Sequence, residues 1–131
     1  MSYNTNLAAE FHVLSLLHRL GYSAYLTLGN KKSVDIIVEV DGKIITVDVK
    51  GMMGSTSWPT DNLPLLKKGH FIVLVTFKGR MEDPSFSPEC YVLDIKTANA
   101  LRETNPGGNR NYISYSKVRG SKHLQNWDIL S

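Results

Sequence analysis

The stretch SVDIIVEVDGKIITVDVKG, residues 33–51, restricts the possible folds more than any other part of the chain. Two runs of branched apolar residues flank Asp41-Gly42, a strong signal for a two-residue hairpin turn. Such a turn sets the pairing. Val38 faces Ile45, Ile36 faces Val47 and Val34 faces Val49, so one side of the hairpin is wholly apolar. The other side brings Ile37 opposite Thr46 and Asp35 opposite Asp48, with Lys50 two residues further along the same side. Acids directly opposite each other, with β-carbons roughly 4.5–5.5 Å apart, destabilise a sheet. A hairpin that keeps them needs something between them, or a face on which both are simply solvated.

The surrounding pattern is α/β. A helix is expected from Asn6, as N-cap, to Leu20, with Gly21 as its stop. Phe11, Val13, Leu14, Leu16, Leu17 and Leu20 form its apolar stripe. Glu10 falls on that stripe, while His12 and His18 flank it. Strands are expected at Ser23–Leu28, Val34–Val40 and Lys43–Lys50, which together make a three-stranded meander. The segment from Gly51 to His70 reads as a long loop holding a short helix near Asn62–Lys68. FIVLVTF, Phe71–Phe77, is a continuous apolar run, the mark of a central strand covered on both faces. A strand at Cys90–Ile95, a short helix capped by Thr97, a strand at Tyr112–Ser116 and a packed end at Trp127 and Leu130 complete the expectation.

At 131 residues, 42% of them hydrophobic and 21% charged, the chain makes one globular domain, residues 1–131. Cys90 is the only cysteine, which excludes an internal disulfide and a cysteine zinc site. No apolar run reaches the roughly 20 residues that cross a bilayer, and the opening MSYNTNLAAEF lacks the pattern of a signal peptide. A cytoplasmic location is therefore expected. The net charge of +3 permits a nucleic-acid partner without requiring one. The local basic clusters are Lys31-Lys32, Lys67-Lys68 and the set Arg110, Lys117, Arg119 and Lys122.

A magnesium ion answers the problem posed by Asp35 and Asp48, because it takes hard oxygen ligands, commonly one or two carboxylates with water and phosphate oxygens. A lysine beside such a site positions water or offsets charge developing on a phosphate. A helix acid (Glu10), a strand acid (Asp35) and the tripeptide Asp48-Val49-Lys50 on the next strand, in that order, resemble the PD-(D/E)XK nuclease superfamily. Archaeal Holliday-junction resolvases are the nearest familiar comparison. The resemblance implies a restriction-endonuclease-like fold, with an N-terminal helix, an antiparallel meander and a mixed central sheet flanked by helices. It implies Mg2+ or Mn2+ held by Asp35, Asp48 and the Val49 carbonyl, supported by Glu10, with Lys50 handling the attacking water. DNA is the implied substrate, and cutting both strands would need a homodimer. Lys31, Lys32, Lys67, Lys68, Ser55, Thr56 and Ser57 are the expected backbone contacts, and Trp58 is expected to stack on a base or wedge against a sugar. The competing expectation is a non-catalytic module that uses the same fold to bind protein or nucleic acid.

Overall fold

The computed structural model describes residues 3–27, 34–61 and 67–131. Helix α1 (Thr5–Arg19) is followed by β1 (Ser23–Leu26), β2 (Ile36–Val40), β3 (Lys43–Met52), β4 (Ser57–Pro59), β5 (His70–Thr76) and β6 (Glu89–Asp94). Then come α2 (Ile95–Leu101), β7 (Glu103–Thr104), β8 (Asn111–Ser114), α3 (Tyr115–Val118) and a 3-10 turn at Trp127–Leu130. Five strands form one mixed sheet in the order β1-β2-β3-β5-β6, and three form a second in the order β4-β8-β7. Among the described residues only the β3–β5 pairing is parallel.

From Ile36 to Lys43 the hairpin register is the expected one, with Ile36 opposite Val47, Val38 opposite Ile45 and Val40 opposite Lys43, while the expected Val34–Val49 and Asp35–Asp48 pairs lie beyond the end of the ladder. Asp41 and Gly42 both hold positive φ, 50° and 77°, as a turn matched to the strand twist requires. Asp tolerates this conformation better than most residues, and Gly without cost.

The central sheet separates two cores. On one face, Ala9, Val13 and Leu17 of α1 meet Ile36, Val38, Val47, Val49, Val73 and Val75, and the same core takes in Trp127 and Leu130. On the other, Ile72, Leu74 and Leu93 meet Trp58, Tyr91, Ile113, Tyr115 and Val118. Sandwiched in this way, β5 is buried along nearly its whole length, as its unbroken apolar run predicts.

Several boundaries differ from expectation. Asn4, not Asn6, caps α1, its side chain accepting from the Leu7 amide at 3.0 Å. Phe11 and Leu20 turn outward, 53% and 52% exposed, so the buried stripe is narrower than the apolar one. Strand β2 begins at Ile36 rather than Val34, and β3 runs on to Met52. The Gly51–His70 segment is not all loop, since Ser57–Pro59 pairs with β8. Of the short helix expected there, 62–66 lie outside the described residues, while Lys67 and Lys68 are exposed and not helical. Asp94 caps α2 by accepting from the Thr97 amide at 2.7 Å, the reverse of the cap expected at Thr97. The last strand ends at Ser114, and residues from Tyr115 turn into α3. Among the described residues no helix is long and apolar enough to cross a membrane.

Candidate functional site

Pairing of β2 with β3 fails at Asp35. Its amide bonds the Val47 carbonyl at 3.2 Å, although Val47 already partners Ile36. Two residues against one is the count of a β-bulge, a device that re-aims side chains. The Asp35 carboxylate accordingly does not face Asp48 as an opposed pair. Its Oδ2 accepts the Val49 amide at 2.8 Å.

Alternation along β3 places the rest. The Thr46 amide bonds Gly69 on the β5 side, and the Val47 carbonyl bonds Asp35 on the β2 side. Odd residues of β3 therefore direct both backbone groups toward β2. The Val49 carbonyl points to that same edge, just where β2 has stopped pairing.

Side chains alternate between the faces. Asp48, between Val47 and Val49 of the α1 core, turns to the opposite face, where His70 stands on β5. His70 Nε2 lies 3.2 Å from Asp48 Oδ2, and its Nδ1 lies 2.7 Å from Thr46 Oγ1. Asp48 and His70 are both buried. The like-charge problem read from the hairpin is thus met by two separate partners, a backbone amide for Asp35 and an imidazole for Asp48. His70 carried no sequence signal, because the parallel pairing that brings it to Asp48 depends on a crossover whose geometry local patterns do not specify.

Lys50 follows Asp48 on the same face and lines a cleft of about 340 Å³ with Asn6, Gly51, Pro59, Asp61 and Arg110. Asn6 belongs to the first turn of α1, and its Oδ1 accepts the Gly51 amide at 3.2 Å. Asp61 is held at the cleft by two bonds. It accepts the Asn111 amide at 2.7 Å and Arg110 Nη1 at 3.4 Å. The Asn111 amide, helped by Arg110, keeps the Asp61 carboxyl below the usual carboxylate range.

Glu10 is buried on α1, beside Ala9 and Val13, as its place on the stripe suggested. Among the described residues no three Asp, Glu, His or Cys side chains are grouped to hold a metal ion, so Glu10 does not join the two aspartates in such a cluster. The donor set still suits magnesium in one respect. Two carboxylates and a strand-edge carbonyl are hard oxygen donors, and this ion ordinarily completes its shell with water.

The expected nucleic-acid contacts separate. Trp58 is fully buried, donates Nε1–H to the Val75 carbonyl at 2.9 Å and packs against Tyr91 and Tyr115 with ring centroids 6.3 and 6.2 Å away. It is a core residue and is not available to stack on a base. Thr56 and Ser55 are exposed, though the Thr56 hydroxyl points to Met52 Sδ at 3.6 Å, and Ser57 is half-buried in β4. Lys67 and Lys68 are exposed. Lys31 and Lys32 lie outside the described residues.

No family model and no curated protein matches this chain. Among solved structures, it resembles the bacterial homing endonuclease I-Ssp6803I, with a TM-score of 0.57 at 14% identity, over 95% of this chain and 88% of that one. At that identity the likeness is one of fold, and the helix, the five-stranded mixed sheet and the second sheet described above form a nuclease-like α/β fold.

Proposed function

We propose that this chain is a magnesium- or manganese-dependent endonuclease that hydrolyses DNA phosphodiester bonds. The observation that carries the reading is that Asp35, at the point where β2 stops pairing, accepts the Val49 amide and so sets its carboxylate beside the tripeptide Asp48-Val49-Lys50. The fold shared with a homing endonuclease supports it.

Asp35, Asp48 and the Val49 carbonyl would hold the metal, which when bound supplies a Lewis acid for the phosphate and a lower pKa for water. Lys50 stands beside them at a cleft and presents an ammonium group to water or to charge growing on phosphorus. The water oxygen forms a bond to phosphorus as the bond to the leaving sugar oxygen breaks. The proton lost by water leaves to solvent, and the sugar oxygen gains one. His70 bonds Asp48 Oδ2 and would set the direction of its carboxylate. Glu10 would support the site from the helix through water rather than as a direct ligand. A domain with one such site would cut both strands of a duplex as a homodimer.

The test is incubation with linear, single-stranded, supercoiled and branched DNA, in magnesium, manganese or EDTA. Cleavage is expected only with metal, and Lys50→Ala should abolish it while the melting temperature stays near that of the wild type. Full cleavage by Lys50→Ala would remove the role assigned to that lysine. Two observations favour a second reading, a non-catalytic module on the same fold: Asp48 is engaged by His70, and the described residues hold no group of three metal-binding side chains. A wild type that binds DNA and cuts none of these substrates would establish that alternative.

A further inference from the structure

We infer that Arg110 is a phosphodiester-binding residue of the Lys50 cleft, held in place by Asp61 and assisted by the Asn6 side-chain amide. The inference deepens the nuclease reading and rests on it for the role of Lys50.

Four segments meet in the cleft: the first turn of α1, the end of β3, the Asp61 segment that leads out of β4 and the Arg110 segment that leads into β8. Lys50 and Arg110 bring two cations against one acid, so the cleft favours an anion. The guanidinium offers five donors in a planar fork, of which only Nη1 meets Asp61. Its side chain is 73% exposed, so the remaining donors can meet a ligand without first leaving a buried site. Asp61 is itself fixed by the Asn111 amide, which anchors the orientation of its partner. Asn6, which lines the same cleft, spends its carbonyl oxygen on the Gly51 amide, so its NH2 group is the end it can offer a ligand. A planar fork, an ammonium and an amide around one concavity match the oxygens of a phosphodiester better than those of a lone carboxylate. The segments that flank β4 and β8 of the second sheet thereby supply one wall of the site.

The experiment measures binding of a fluorescently labelled short DNA duplex by anisotropy in EDTA, where nothing is cut, across a series of NaCl concentrations. Arg110→Ala should weaken binding about tenfold at low salt, the scale of a missing charged hydrogen bond. The plot of log affinity against log salt should become shallower by about one, because one phosphate is no longer neutralised by the protein. Arg110→Lys should keep most of the slope and lose part of the affinity. If Arg110→Ala does not fold, Arg110→Gln replaces it. Unchanged affinity and slope in the folded variant would overturn the inference, even if the wild type cleaves DNA. The predicted slope change in a protein that cuts nothing would leave Arg110 as a phosphate ligand and remove the nuclease reading. A wild type that binds no duplex removes both.

Discussion

Gly51 directly follows Lys50, and α1 crosses the sheet on top of it. A β-carbon built at this position would lie 2.9 Å from Ala9 Cβ and 2.9 Å from the Thr5 carbonyl oxygen. One of these neighbours is backbone, and the other is a methyl with no rotamer to swing away. Gly51→Ala therefore forces the helix to lift from β3. Overpacking of this kind costs about 1–3 kcal/mol. Alanine also lowers the entropy of the unfolded chain, which returns about 0.4–1 kcal/mol where the backbone conformation is permitted. The net expectation is a loss of about 1–2 kcal/mol, or roughly 3–10 °C in melting temperature for a domain of this size. Thermal and urea unfolding, followed by circular dichroism, measure it. The Gly51 amide is bonded to Asn6, so the same lift should weaken duplex binding through the cleft. A Gly51→Ala protein as stable as wild type would refute the close-packing argument, and would leave close approach to a phosphate as the reason for a glycine beside Lys50.

Trp58→Ala should cost about 3–5 kcal/mol, because it empties a fully buried site and strips a partner from the Val75 carbonyl; a variant that melts like wild type but binds DNA poorly would restore the base-stacking role. His70→Phe should destabilise the protein by about 1–3 kcal/mol, since it leaves the buried Asp48 without its hydrogen bond, and an unchanged urea midpoint would show that the pair is solvated. Asp94 is held below the ordinary carboxylate range chiefly by the Thr97 amide it caps. Its folded pKa is depressed, so its contribution is complete above the unfolded pKa and disappears as pH falls through the folded one. Asp94→Ala should accordingly cost about 0.5–2 kcal/mol near neutral pH and little in strong acid, whereas a cost independent of pH would contradict the charged cap.

The hairpin was legible because its determinants are local. An Asp-Gly turn has few conformations, and strand alternation then dictates every partner from Val40–Lys43 to Ile36–Val47. The same alternation put Asp48 and Lys50 on one face and Val47 and Val49 on the other, and the unbroken run at 71–77 announced a doubly covered strand. The helix stripe was legible in kind but too wide in extent. Periodicity identifies which residues share a face, while exposure of Phe11 and Leu20 depends on where the sheet ends beneath the helix. The cap expected at Asn6 fell two residues late, since Asn4 caps the helix and the Asn6 side chain instead accepts the Gly51 amide across the fold. The bulge at Asp35, the imidazole against Asp48, the burial of Trp58 and the meeting of Arg110 with Lys50 were decided by tertiary structure alone. Each depends on residues far apart in the chain coming together, set by how two sheets and a helix stack, and side chains of the same type would read identically in the sequence whether or not they met.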